Sequence, residues 1–243
     1  MIDRHSQNLK RRHWLPGPWR LAFGAVLTAA FFCAASPFSG VSAAGAPSAT
    51  APTAAELASR VDHHYNALRS LRVNFVQQYD GLGMHRKESG TLLLKKPGRM
   101  RWDYSQPSGK LFVLDGKDAY FYSPGGSEAQ RVPAKKLDDL RSPLRLLLGH
   151  AQLAKELANL QMTPAGSSFE LSGTPKGMEQ RVSTFELTVT ADGTIEAIKI
   201  EETDGSVTHF SFSGEQPNVP APDGEFVFKA PPGVEIVSGL PPV

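Results

Sequence analysis

The chain has 243 residues, of which 21% are charged, and a formal net charge of +2 at pH 7. Its single cysteine excludes a framework of disulfides, and the near balance of charges leaves no large basic field for nucleic acid. With 40% hydrophobic residues, the chain is long and apolar enough for one folded domain with a sizeable core.

The first 43 residues have the pattern of a secretory signal peptide. Basic residues 10–12 precede an apolar run of 15 residues, 21–35, which is short for a membrane span. Small residues end at Ala43, so we predict cleavage after Ala43 and export to the periplasm. Residues 44–52 are then a flexible tether before a single domain, 53–243. An uncleaved N-terminal anchor and a twin-arginine signal remain alternatives.

Removal of residues 1–43 leaves 21 basic and 23 acidic residues, a formal net charge of −2, and no cysteine. The exported chain therefore has no means of disulfide formation or thiol catalysis.

The exported chain begins with a helix signal. Thr53 and Glu56 have the spacing of a capping box, in which each side chain bonds a backbone N–H of the first turn. Apolar residues follow at helical spacing, which predicts an amphipathic helix over 54–70. Residues 71–79 then alternate as in a strand.

Closely spaced strands with turn residues between them follow the helix. Segments 85–94, 99–104, 111–114 and 119–122 are separated by Pro-Gly, Gln-Pro-Ser-Gly and Asp-Gly turns. Residues 135–160 are helix-like and rich in leucine. Strands resume from Ser168, and residues 225–228 are predicted as a last short strand. This grouping predicts an α+β fold with one large antiparallel sheet of about ten strands, which must curl or close.

The order of residues in 90–124 is distinctive, with basic-basic-Pro, Arg-x-Arg-Trp, an apolar Asp-Gly hairpin and Tyr-Phe-Tyr in succession. In this order the chain resembles the outer-membrane lipoprotein carrier proteins of the LolA family, which are periplasmic chaperones. The resemblance extends from about Ala54 to Gly239. It implies a large curled antiparallel sheet that forms an unclosed β-barrel, covered by a lid of amphipathic helices.

The resemblance also implies a function and partners. The chain is expected to bind the acyl chains of lipoproteins released by an inner-membrane ATP-driven complex. It is expected to carry them, as a monomer, to an outer-membrane lipoprotein acceptor. No cofactor, metal or nucleic acid is expected.

Site residues follow from the same comparison. Lys96 takes the place of a basic residue, usually arginine, that bonds the lid helix to the sheet, and lysine lacks the planar fork of donors that arginine has. The lipid-binding cavity and the lid are expected to use two apolar sets. The cavity set is Phe75, Leu92, Leu94, Met100, Trp102, Leu111 and Val113, and the lid set is Leu140, Pro143, Leu144, Leu147 and Leu148.

Two other classes of function stay open from the residues alone. A periplasmic carrier of other lipids or glycolipids, or an envelope sensor, could use the same fold. A hydrolase is disfavoured because the sequence contains no Gly-x-Ser-x-Gly, phosphate-binding loop or paired-glycine motif. We therefore predict that the chain is not an enzyme.

Overall fold

The computed structural model describes residues 51–139 and 152–239. The predicted signal peptide and most of the tether lie outside the described residues. So do all five predicted lid residues, Leu140, Pro143, Leu144, Leu147 and Leu148. Among the residues that are described, no helix has both the length and the apolar character needed to cross a membrane.

Helix α1 (Ala54–Ala67) begins as the capping box predicts. The Thr53 hydroxyl accepts the Glu56 backbone N–H at 3.2 Å, and the Glu56 carboxylate accepts the Thr53 N–H at 2.8 Å. The helix buries one stripe, which includes Leu57, Val61 and Tyr65. It ends three residues before the predicted end because Ser70 already pairs with Lys95 in the sheet.

The remaining described chain forms one sheet of twelve strands with two short α-helices and a 3₁₀ turn. These elements are β1 (Ser70–Gly81), β2 (Met84–Lys95), β3 (Arg99–Gln106), β4 (Leu111–Asp115), β5 (Asp118–Tyr122), β6 (Glu128–Pro133), α2 (Ala134–Asp139), α3 (Leu153–Glu156), β7 (Leu157–Ala165), β8 (Ser168–Pro175), β9 (Val182–Val189), β10 (Ile195–Glu202), β11 (Val207–Pro217), the 3₁₀ turn (Asp223–Phe226) and β12 (Glu235–Ser238).

The sheet is curled and does not close. Its strand order is β12-β6-β5-β4-β3-β2-β1-β11-β10-β9-β8-β7, so β12 and β7 are the two edges. The buried side chains of α1 join those of both halves of the sheet in one continuous core. The predicted α+β fold with an unclosed curled sheet is thereby confirmed.

Three local predictions were wrong. Residues 157–160 belong to strand β7 rather than to a helix. Residues 223–226 form a 3₁₀ turn, which buries Phe226 against the sheet instead of adding a strand. The last strand is β12, which pairs with β6 in a parallel direction, so the sheet is not wholly antiparallel.

Candidate functional site

The strand register divides the sheet into two faces. Directly opposed residues on neighbouring strands share a face, and Leu92 is opposed to Val73 on one side and to Trp102 on the other. Trp102 is in turn opposed to Phe112. We call this face, which shares its core with α1, the inner face. In β1 to β5 it comprises Leu71, Val73, Phe75, Leu92, Leu94, Met100, Trp102, Tyr104, Phe112, Leu114, Ala119 and Phe121.

Aromatic rings dominate the middle of the inner face. Phe75 meets Trp102 edge to face at a centroid distance of 4.6 Å and Tyr104 at 5.1 Å. Trp102 also lies 5.8 Å from Phe210 of β11, and a second pair joins Phe112 and Phe121 at 4.8 Å. Ring pairs of this kind prefer specific edge-to-face geometries, and together they give the middle of the inner face an apolar aromatic surface.

Five of the seven predicted cavity residues come together on the inner face, namely Phe75, Leu92, Leu94, Met100 and Trp102. Leu111 and Val113 do not, because they oppose Asp103 and Arg101 on the other face. Their expected place beside Trp102 was wrong. The run Leu111-Phe112-Val113-Leu114 is apolar at every position, so alternation could not show which residues point inward.

A strap formed by residues 217–229 packs on the other face of the sheet at β2 to β5. The 3₁₀ turn packs on β3 and β4, with Phe226 only 1% exposed. Asp223 accepts from the ammonium of Lys95 at 2.6 Å and from Arg99, and the Lys95 hydrogen bond lowers the pKa of the Asp223 carboxyl. This strap explains why Val113 is fully buried although it lies outside the inner face.

Lys96, the predicted latch, lies against the end of α1. Its ammonium donates to the backbone carbonyl of Tyr65, and partial burial lowers the pKa of Lys96. A cation at this point also complements the negative end of the helix dipole. Any contact of Lys96 with residues 140–151 falls outside the described residues.

A cleft of about 640 Å³ opens beside Lys96. No aromatic residue of the inner face lines it, so it is separate from the aromatic cluster. Its lining residues are Asn66, Ala67, Leu68, Arg69, Ser70, Lys95, Lys96, Asn218, Val219, Pro220 and Ala221.

Tyr65 makes a second fastening that the sequence did not reveal. Its hydroxyl donates to the Glu215 carboxylate at 3.0 Å and accepts the backbone N–H of Ile195, also at 3.0 Å. His64 approaches the other oxygen of Glu215 at 2.6 Å. Burial, and then the Glu215 charge, raise the pKa of Tyr65, so the phenol stays protonated and can donate. The groups lie 130 or more residues apart, and no sequence pattern links them.

Asp62 fastens the middle of α1 to the start of α3. Its carboxylate accepts the Leu153 backbone N–H at 3.1 Å. Partial burial raises the pKa of Asp62 above its ordinary value of 3.8, the Leu153 hydrogen bond opposes this rise, and Glu156 adds to it.

This shift gives a test with a defined sign. Because the folded pKa is raised, ionised Asp62 opposes folding, and stability is regained as the pH falls through the folded pKa. Asp62→Asn, which imitates the protonated acid, is expected to raise Tm at pH 7. The gain should shrink to nothing below the unfolded pKa of 3.8. Melting curves across this range check it.

Asp223 supplies the matched control because its pKa is shifted the other way. Asp223→Asn is expected to lower Tm at pH 7, and the loss should likewise disappear in acid. If Asp62→Asn is less stable than wild type at pH 7, then burial of the ionised Asp62 carboxylate does not oppose folding.

No group of three or more His, Cys, Asp or Glu residues in 51–139 and 152–239 is arranged to hold a metal ion. Of the described histidines, His64 is engaged by Glu215 and His85 by Asp80.

Comparison with known proteins agrees with this arrangement. The family model "Outer membrane lipoprotein carrier protein LolA" matches residues 66–229, which run from the last turn of α1 to the end of the strap.

The relatives named outer-membrane lipoprotein carrier protein include two that cover most of this chain. The protein of Nitrosospira multiformis is 30% identical over 174 residues, which cover 70% of this chain and 83% of the relative. That of Chromobacterium violaceum is 26% identical over 197 residues, 81% of this chain and 95% of the relative.

Among solved structures, a LolA superfamily protein from Nitrosomonas europaea aligns with a TM-score of 0.40 and 14% identity, over 73% of this chain and 99% of that one. The family model and the Nitrosospira multiformis relative show the family. The chain belongs to the outer membrane lipoprotein carrier protein LolA family.

Proposed function

We propose that this protein is a periplasmic chaperone that binds the acyl chains of lipoproteins and carries them between membranes. Family membership supports the proposal, and so do the names of the relatives. The single observation that carries it is the inner face, a continuous apolar surface with aromatic rings at its centre and a helix packed against it. We propose no reaction chemistry.

The physical requirement is to shield hydrocarbon during transit through water. Exposing an acyl chain costs about 0.8 kcal/mol per CH₂, so a multiply acylated protein does not cross an aqueous compartment alone. A curled sheet can cover such chains through many weak contacts. The same surface must be covered when empty, since a large exposed apolar patch promotes aggregation. Helix α1 supplies part of that cover.

The hydrogen bonds that hold α1 on the sheet set how easily this helix can move off the inner face. Lys96, Glu215 and the Ile195 N–H all bind Tyr65. Cargo shifts the protein towards an open state only by the difference between its affinities for the two states. Lys96 thus serves as the latch, and its single bond to the Tyr65 carbonyl makes release easier than a multiple-donor arginine bond would.

The remaining assignments are parts of the same proposal. Residues 1–43 direct export and are cleaved after Ala43, and 53–243 form the carrier domain. The lid is completed by Leu140, Pro143, Leu144, Leu147 and Leu148. An inner-membrane ATP-driven complex loads the monomer, and an outer-membrane acceptor with better apolar surface receives the cargo.

A matched pair on strand β5 tests the function. Phe121 is half-buried on the inner face, and its neighbour Tyr122 is half-buried on the other face, opposed to Leu111. A charge at Phe121 should repel acyl chains, whereas the same charge at Tyr122 should not.

The probe is a synthetic triacylated lipopeptide, with bound complex counted by native mass spectrometry. We expect Phe121→Glu to lower binding about tenfold or more, and Tyr122→Glu to leave it near the wild-type level. Equal binding by both variants would exclude the inner face as the site. Phospholipid or glycolipid on protein purified from its host, with no lipopeptide binding, would favour the alternative carrier function.

A further inference from the structure

The β1–β2 hairpin presents apolar side chains to solvent, where they bury little surface and contribute little to folding. Leu82 is 74% exposed and Met84 is 45% exposed, at the two-residue turn that joins these long strands. Leu82 has a φ of 51° and Gly83 a φ of 75°. Both lie in the left-handed region that hairpin turns require, where asparagine, aspartate or glycine is normally found.

A leucine at this position holds a backbone conformation that L-residues rarely adopt, and its exposed side chain returns almost no packing. Asparagine would relieve the strain, and a polar side chain would suit the exposure. The stability of the fold therefore does not account for Leu82.

The turn is packed closely on one side and projects freely on the other. A Cβ on Gly81 would lie 2.3 Å from the Ser206 hydroxyl oxygen, so β1 packs closely on the β10–β11 turn. The Tyr79 hydroxyl donates to Ser206 at 3.3 Å. On the other side β2 pairs with β3 only from Ser89 onward, so Met84 and the four residues after it project beyond β3.

The charged side chains near the turn are mixed in sign. Asp80 is paired with His85, and Glu88 is paired with Lys110 at 2.6 Å. Within 51–139 and 152–239, Arg86 and Lys87 form no ion pair, and Arg86 lies over the Tyr79 ring at 4.8 Å.

The adjacent turn carries Asp204, whose carboxylate accepts the Ser206 N–H at 2.8 Å. Arg86 and Lys87 are balanced by two carboxylates, Asp80 and Asp204, because His85 offsets Asp80 only when it is protonated. The electrostatic contribution is therefore modest, and the apolar side chains must supply most of any attraction.

We propose that the β1–β2 turn is a membrane-docking tip that inserts Leu82 and Met84 into the surface of a bilayer containing anionic phospholipid. The apolar pair enters the interface, while Arg86 and Lys87 lie at the level of the headgroups. The rest of the carrier stays in water. This role goes beyond acyl-chain binding, because none of these residues belongs to the inner face.

The decisive variant is Leu82→Asn, because it removes the apolar group while relieving the strained backbone. It is expected to melt at the same temperature as wild type or higher, so reduced docking cannot result from unfolding. Val227→Thr is the matched control, since Val227 is 52% exposed but lies in the strap.

Each protein is purified from the periplasm of its host and floated with vesicles of phosphatidylethanolamine and phosphatidylglycerol. We expect wild type and Val227→Thr to float alike and Leu82→Asn to bind about tenfold more weakly. Replacing both Arg86 and Lys87 by glutamine should weaken binding about fivefold or more and reduce its dependence on salt. Vesicles of phosphatidylcholine alone should bind wild type less.

The proposal is overturned if wild type does not float, or if Leu82→Asn floats equally well. It is also overturned if the Leu82 side chain proves to drive self-association of the protein without vesicles. Lipopeptide binding by Leu82→Asn, measured in parallel, is expected to equal that of wild type. If docking fails while lipopeptide binding is intact, the membrane-docking proposal is wrong and the carrier function stands. If the protein docks on vesicles but binds no lipopeptide, the carrier function is wrong and the docking proposal stands.

Discussion

Replacing Trp102 by alanine is expected to lower the free energy of unfolding by about 3–5 kcal/mol. The indole is 3% exposed and lies between Phe75 and Phe210, with ring centroids 4.6 and 5.8 Å away. Truncation removes its burial and both edge-to-face contacts and leaves a cavity between β1, β3 and β11. Urea unfolding followed by circular dichroism measures the loss.

Trp102→Phe is the appropriate control because it keeps an aromatic ring against Phe75. We expect it to cost less than half as much as Trp102→Ala. A loss below about 1 kcal/mol for the alanine variant would mean that the ring packs loosely and is not part of the core. Binding of the lipopeptide should fall in both variants, and more in the alanine variant.

Gly193→Ala is expected to be the most damaging single-methyl change in the β9–β10 region. The residue has a φ of 95°, and a Cβ there would lie 2.6 Å from the carbonyl carbon of Arg60 and 2.7 Å from the amide of Val61. The turn thus touches the backbone of α1. Strain of about 1–2 kcal/mol and overpacking of about 1–3 kcal/mol together predict a loss of roughly 2–5 kcal/mol.

The β10–β11 turn offers a close control. Gly205 has a φ of 86° and also follows an aspartate, but a Cβ there meets nothing within 4 Å. Gly205→Ala should therefore show the strain alone, about 1–2 kcal/mol. If Gly193→Ala and Gly205→Ala lose similar free energies of unfolding, then α1 moves away from the added methyl group without a free-energy penalty.

Displacing α1 has a functional readout as well. If the helix covers the inner face, Gly193→Ala should bind a fluorescent dye for apolar surfaces more strongly than Gly205→Ala. It should do so before the unfolding transition begins. Dye titration of the folded variants at equal concentration measures the difference.

Local patterns predicted the parts of this fold that short-range physics controls. The Thr53–Glu56 capping box and the apolar stripe of α1 depend on residues three or four apart, and both are present. The Asp192-Gly193 and Asp204-Gly205 turns lie between paired strands as expected. Strands β1 to β5 likewise follow from short alternating or apolar runs that lie between turn residues.

Patterns failed where tertiary contacts decide between local alternatives. The apolar run of β4 has no alternation, because the strap buries its outward side chains as deeply as the core buries the others. Phe226 lies in a short apolar run that is typical of a strand. The chain turns there instead, because Arg99 donates to the Asp223 carboxylate and Arg101 donates to the Glu225 carbonyl. The Tyr65, Glu215 and Ile195 contacts unite three elements that are distant in the chain.

The strand order has a consequence for how the protein is made. Strands β1 to β6 follow one another as neighbours, and so do β7 to β11 in the other half. Each half is thus a meander whose hairpins close over short loops and can form quickly. The two halves are joined mainly by β1 and β11, a seam that must await the last quarter of the chain.

A growing polypeptide would expose the apolar side of its first meander until that seam closes. Synthesis therefore has a vulnerable interval between the appearance of β6 and that of β11. Premature termination in this interval should yield an insoluble half-sheet rather than a weaker carrier, because the apolar face of β1 to β6 would have no second half of the sheet to pack against.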